Sequence, residues 1–281
     1  MIKKSTTKKH QLEHPNRWHW ILAPLAALWM VPIFMVISTS LMPVSDPTMV
    51  YGGLVPRSPS ASNYGIIWEQ NPIFQHLINS LLITVPSVVL TVIFGAMTAF
   101  ALAMLRFRAK GIVFGFLIMA MVLPMASIIV AVYKILQALS LYNTLTGLVL
   151  VYTALGIPFA VIMIRNAFMA IPLDTYEAGL LDGCSKARIF WSIYMPLARP
   201  SIAVVIVWQS MMSWNDFLLP LVSLSDSALK PLVLVPLTYR GIYLSQPGAL
   251  FAVLVVISIP MVVIFLAVQK NLVNGLSGSV K

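Results

Sequence analysis

The chain has 281 residues, 59% hydrophobic and 9% charged, with a mean hydropathy of +0.92. Soluble domains carry about 25% charged residues, and a water-soluble globule could not cover itself with so little polar surface, so the chain reads as an integral membrane protein. Its formal charge of +10 follows from the Lys and Arg bias of cytoplasmic loops and needs no nucleic-acid partner.

Six apolar runs reach the roughly 20 residues that a helix needs to cross a hydrocarbon core about 30 Å thick. They are Trp18–Leu41, Ile78–Leu105, Ile112–Gln137, Leu145–Ile164, Pro200–Val222 and Gly248–Gln269. Barrel strands would alternate over about ten residues. These runs are continuous, so the expected fold class is an all-α membrane protein with six transmembrane helices. Lys3, Lys4, Lys8 and Lys9 precede the first run, as in a signal peptide, but the run exceeds a signal core of about 7–15 residues and has no clear cleavage site. It is expected to be a retained anchor. Residues 1–17 then form a cytoplasmic segment, 18–41 the first span and 42–77 an external loop.

Orientation follows from charge. With the N-terminus inside, the inner segments hold 14 basic residues, including Arg106, Arg108, Lys110, Arg165, Lys186, Arg188, Arg199 and Lys270. The outer side holds four, Arg57, Lys134, Lys230 and Arg240. The positive-inside rule puts both termini in the cytoplasm. The N-terminal basic run also suits anionic membrane lipids.

Within the second run, Gly95, Ala99 and Ala103 recur every four residues. That spacing fits a close helix crossing, and it equally fits ordinary membrane-helix composition. Prolines interrupt the runs at Pro24, Pro32, Pro86, Pro124, Pro158, Pro220 and Pro260, each permitting a kink. The single Cys184 excludes an internal disulfide or a CxxC metal site and reads as a small packing residue. The four histidines form no HExxH pair. No metal site is expected.

The most informative segment is the inner loop Ile171–Pro196. Asp174, followed three residues later by Glu177, resembles a capping box. Gly183 suits a left-handed helix end, Ser185 a new N-cap, and Ile189, Phe190 and Ile193 an apolar face ended by Pro196. The expectation is helix, glycine corner, helix, with apolar groups exposed on a water-facing loop. Such a loop is either a docking knob for another protein or an amphipathic helix lying on the membrane.

This segment resembles the EAA loop of bacterial ABC-importer permeases, E-A-A-x2-D-G-A-x8-I-x-L-P. Here it reads Glu177-Ala178-Gly179, Asp182-Gly183-Cys184 and Ile193-Tyr194-Met195-Pro196, with the eight-residue gap intact and departures at Gly179, Cys184 and Met195. The likeness extends to the maltose-type carbohydrate branch through Asn79-Ser80-Leu81-Leu82, Phe107-Arg108, Leu123-Pro124, Leu141-Tyr142-Asn143-Thr144, Ile164-Arg165-Asn166 and Ser213-Trp214-Asn215-Asp216-Phe217. Asn63-Tyr64 and Trp68 match loosely.

The resemblance implies a type I importer bundle with its permease domain at 74–270 and a coupling loop at 171–196. It implies a second, non-identical permease, two ATPase subunits that hydrolyse ATP with Mg, and a periplasmic or lipid-anchored solute-binding protein. No cofactor would be held by this chain, which lies in the bacterial inner membrane. Asp174, Glu177, Ala178, Gly179, Asp182, Gly183, Ile193 and Pro196 would form the ATPase contact. The 271–281 tail would reach the ATPase interface through Gly275, Leu276 and Lys281.

The chain has no GxxxxGK[ST] sequence, so energy must arrive through a partner. Asp216 is the only carboxylate within a span, and intramembrane charge is a functional signal. Asp216 and Asn215 are candidates for hydrogen bonds to sugar hydroxyls, with Trp214 stacking on a ring; an interhelical or gate contact is the plainer role. Gln209 and Ser127 are further pathway candidates. A proton-coupled carrier of a small polar solute is the alternative, and it would require more buried acids.

Overall fold

The computed structural model describes residues 15–43, 55–239 and 246–277, with side chains placed for 19–43, 55–239 and 246–269. The helices, in order, are α1 (Pro15–Ser40), α2 (Ser62–Gln70), α3 (Ile73–Met104), α4 (Lys110–Val122), α5 (Met125–Ala138) and α6 (Leu145–Met169). Then come α7 (Leu173–Leu181), α8 (Lys186–Ile189), a π-helical turn at Phe190–Tyr194, α9 (Met195–Leu197), α10 (Arg199–Asn215) and α11 (Leu218–Ser223). Two 3-10 segments, Ser227–Leu229 and Leu232–Tyr239, precede α12 (Pro247–Ser277). No strand occurs among the described residues.

Four helical stretches are long and apolar enough to cross a membrane unbroken: His19–Ser40, Ile73–Met104, Leu145–Met169 and Pro247–Gln269. The remaining two expected spans are broken. Ile112–Gln137 is α4 and α5, bent by 108°. Pro124 causes the break: it lacks an amide hydrogen and drives the preceding Leu123 out of the helical region, to φ −72° and ψ 119°. The run Pro200–Val222 divides into α10 and α11 at Asp216, whose ψ is 122°. Seventeen residues of α10 span about 25 Å, short of the bilayer core, and by length and composition α10 makes a candidate span only together with Lys186–Leu197, across a 78° bend.

The chain falls into two compact units, Met1–Ile66 with Gln246–Val255, and Ile67–Ser245 with Val256–Lys281. In the first, the apolar side chains of α1 are largely exposed, as hydrocarbon contact requires. The last carbonyls of a helix lack intrahelical partners. Asn63 answers for those of α1: its Nδ2 donates to the Ser40 and Met42 carbonyls at 2.9 and 2.8 Å. The Tyr64 and Ser40 hydroxyls lie 2.9 Å apart. Gly248 presses on the same place, since a Cβ there would collide with Asn63 Nδ2 and the Met42 carbonyl. Residues 42–77 are therefore not all loop. They contain α2, and α3 begins at Ile73 rather than Ile78, which puts His76 inside a helix.

In the second unit, α3 and α6 form the central pair. A Cβ on Gly95 would stand 2.6 Å from that of Ala160, and Ala96, Ala99 and Ala160 are buried. The small-residue spacing in the second run is thus a helix crossing. At one end, Thr144 caps α6 by accepting from Gly147 N at 3.1 Å. There Asn143, at φ +56°, accepts from the Ser225 and Asp226 amides through Oδ1. The 3-10 region is pinned to α3: Asn79 Nδ2 donates to the Ala228 carbonyl at 2.8 Å, and Leu232 N to Ser80 Oγ at 2.8 Å.

Candidate functional site

The loop of interest is a folded elbow. Its first helix, α7, is capped by backbone geometry at Pro172, with no side-chain cap. Asp174 lies within the first turn instead of at the N-cap, so the expected capping box with Glu177 does not form. Asp174 suits the positive end of the helix dipole there, and Glu177 is exposed. The far end is as expected. Gly183 has φ +75°, Gly183 N donates to Leu180 O and Cys184 N to Gly179 O, both at 3.0 Å. These two bonds constitute a Schellman closure. Ser185 then caps α8, accepting from Arg188 N at 3.3 Å.

The apolar face of the second arm turns inward rather than to water. Ile189, Phe190 and Tyr194 are buried and Ile193 is half-buried. They pack on the ends of α3 and α6. Phe100 of α3 sits at the hub, with ring centroids 6.1 Å from Phe168, 6.3 Å from Tyr176, 5.2 Å from Phe190 and 5.3 Å from Tyr194. Gly179 fits this packing, because a Cβ there would lie 3.1 Å from Ile189 Cγ1. Pro196 does not end the arm. It lies inside α9, and the chain turns at Ala198, with a 78° bend between Lys186–Leu197 and α10. Leu181, at the tip, is 90% exposed; Ala178 and Asp182 beside it are exposed too. Gly275 and Leu276 lie in the last turn of α12, and Lys281 is outside the described residues.

The pathway candidates divide. Gln209, Asn215 and Asp216 line one cavity of about 400 Å³ between the α4–α5 corner, α6 and α10. Trp214 faces away: it is 2% exposed and donates from Nε1 to the Ile257 carbonyl at 3.0 Å. It cannot stack on a ligand in that cavity. Ser127 is exposed on α5 and is not part of the lining. The aromatic wall comes from residues the sequence reading passed over, Phe159 and Trp208, stacked at 4.1 Å and 23°. Helical spacing carried the signal, since 208, 212 and 215 share one face and 214 does not. Asp216 also has a structural role. Its Oδ2 accepts from Tyr152 Oη at 2.8 Å and its Oδ1 from Leu218 N at 3.0 Å.

With this geometry in view, residues 65–278 match the family described as binding-protein-dependent transport system inner membrane component. The chain belongs to that family. The permease is 30% identical over its whole length to a probable ABC transporter permease, YurM, of Bacillus subtilis, covering 93% of that protein. It is 31% identical to the trehalose transport system permease SugB of Mycobacterium tuberculosis, over 90% of this chain and 92% of the relative. It is 32% identical to the arabinooligosaccharides transport system permease AraQ of B. subtilis, over 92% of both. A crystal structure of a bacterial ABC transporter involved in import of the acidic polysaccharide alginate shares the fold, with a TM-score of 0.77, 23% identity and coverage of 90% of the permease and 94% of that chain. The permease is thus a multi-pass inner-membrane subunit of an ABC transport complex. The elbow at 171–196 and the cavity at Asp216 are its two candidate working parts.

Proposed function

We propose that this chain supplies half of the transmembrane pathway of a carbohydrate importer and takes its energy from ATPase subunits that grip the elbow. The other half would come from a second, non-identical permease. Two ATPases would bind ATP and Mg, and a periplasmic or lipid-anchored binding protein would deliver the sugar. Both termini and the elbow lie in the cytoplasm in this reading, as the 14-to-4 distribution of Lys and Arg requires. The C-terminal segment around Gly275, Leu276 and Lys281 would add a second ATPase contact.

The observation that carries the reading is an exposed apolar tip on an elbow whose inner face is buried. Apolar Leu181 projects into water while the arms behind it are packed onto α3 and α6. A knob with a rigid back can transmit force, which alternating access needs. Relatives named for trehalose and arabinooligosaccharide transport support the carbohydrate class. The proton-carrier alternative is not favoured, because the Asp216 carboxylate is already engaged by Tyr152 and by the start of α11. The test is affinity purification of the tagged chain from its native membrane. An ATPase and a second permease identified by mass spectrometry are the expected result. Solute uptake by the chain alone in vesicles, driven by a proton gradient, would refute the proposal.

A further inference from the structure

The end of α3 and the start of α4 gather cations that neither the elbow tip nor the cavity uses. Residues 105–109 join the two helices, and Arg106, Phe107 and Arg108 in that turn are exposed. Lys110 Nζ donates to the Ala103 carbonyl at 3.4 Å, one of the last carbonyls of α3, which lack intrahelical partners. That bond closes the turn and keeps both arginines at the helix ends. Phe114 lies one turn beyond Lys110 on the same side of α4. Its ring carries the Arg165 guanidinium of α6, with Cζ 4.5 Å from the centroid. The ring holds the guanidinium by its charge and uses none of its N–H donors. Arg165 Nε is buried without a hydrogen-bond partner. Among the described residues, no carboxylate pairs with Arg106, Arg108, Lys110 or Arg165.

Below this basic corner α4 turns apolar side chains outward along its length. Ile112, Phe116, Met119 and Val122 are each at least 66% exposed. A ligand of the corner therefore meets cations at one end and an apolar helix side beneath them. We propose that Arg106, Arg108 and Arg165 bind the phosphate of an anionic phospholipid whose acyl chains lie along α4. Guanidinium groups take phosphate oxygens in pairs, and basic pockets between transmembrane helices hold anionic headgroups. A soluble phosphate would leave the apolar side of α4 uncovered, and so would an acidic protein surface in water. The site is distinct in sequence from the basic run at residues 1–17. It also bears on the elbow: Phe114 and Leu117 pack against the cluster that contains Phe100, Phe168 and Tyr194. A bound headgroup thus braces α4 behind the elbow, whatever solute the importer carries.

The test uses the complete transport complex, purified in detergent, and follows lipid binding by native mass spectrometry. The probes are phosphatidylglycerol and phosphatidylcholine with the same acyl chains. Wild type should retain phosphatidylglycerol in preference. Arg165→Gln should weaken that binding about fivefold, and Arg106→Gln combined with Arg108→Gln at least about tenfold. The paired change lies in an exposed turn, so it decides the matter if Arg165→Gln fails to assemble. Lys3→Gln, Lys4→Gln, Lys8→Gln and Lys9→Gln together should leave the tightest phosphatidylglycerol in place. Equal retention of the two lipids by wild type, or wild-type affinity in the arginine variants, would overturn the site. Displacement of the lipid by excess inorganic phosphate would overturn it in favour of a soluble anion. Loss of ATPase association in the arginine variants, with lipid retention unchanged, would overturn it in favour of a protein contact.

Discussion

The ring of Phe100, near the end of α3, meets the ring of Tyr194 in the elbow edge-on, at 5.3 Å and 80°. Edge-on aromatic pairs contribute about 0.5–1.5 kcal/mol beyond burial, and Phe100 makes such contacts to Phe190 and Tyr194 of the elbow and to Phe168 of α6, with a tilted contact to Tyr176. It therefore ties a transmembrane helix to the surface that would receive force. Phe100→Ala should cost about 3–5 kcal/mol and detach elbow motion from α3. Thermal unfolding of the purified complex should show the loss, and ATP hydrolysis should no longer track transport. Coupling equal to wild type in Phe100→Ala would mean that force takes another route.

The tip residue Leu181 makes the opposite prediction. At 90% exposure it contributes little to the fold, so Leu181→Asp should change stability by no more than about 0.5 kcal/mol. If an ATPase grips this tip as proposed, Leu181→Asp should weaken association by about 2 kcal/mol or more, roughly thirtyfold in Kd. Glu177→Lys should act the same way, through the partner, since Glu177 closes no cap in this fold. Titration of the ATPase into the solubilised permease measures both. Loss of thermal stability with unchanged association would assign these residues to folding.

Gly183 tests the geometry between these two regions. Its φ of +75° costs other residues about 1–2 kcal/mol, although open space surrounds the position. Gly183→Ala should therefore loosen the corner without a steric clash. Faster hydrogen exchange at the Gly183 and Cys184 amides, which close onto Leu180 and Gly179, would report it. Unchanged exchange would show that the turn does not depend on glycine.

These residues also indicate what was legible in the sequence. Gly183 and Ser185 were, because a left-handed turn and an N-cap are local demands met by local residue types. Gly95 was legible as a spacing, and its contact with Ala160 gave the spacing its meaning. The segments that carried the family likeness prove to be tie points: Asn79 and Ser80 hold the 3-10 region, and Asn143 and Thr144 organise the entry to α6. The inward turn of Ile189 and Phe190 was not legible. A loop's own pattern does not say that the ends of α3 and α6 run on to cover it. Trp214 misled for a related reason: it neighbours Asn215 in sequence, but successive helix residues lie about 100° apart around the axis, and Trp208 holds the place on the cavity face.

The pairing of Tyr152 with Asp216 closes the set. Their hydrogen bond joins α6 to the break between α10 and α11 at 2.8 Å, and the other carboxylate oxygen receives the Leu218 amide. An intramolecular hydrogen bond contributes about 0.5–1.5 kcal/mol, so Tyr152→Phe should lower the unfolding temperature of the complex. Asp216→Ala should lower it further, because the start of α11 also loses its acceptor, at about 1 kcal/mol. The two substitutions share one bond and should not add. A double-mutant cycle on thermal unfolding should return a coupling of about 0.5–3 kcal/mol, against additivity within about 0.3–0.5 kcal/mol for independent sites. Additive losses would mean that the break at Asp216 is held by α11 alone, and that α6 and α10 move independently at the cavity wall.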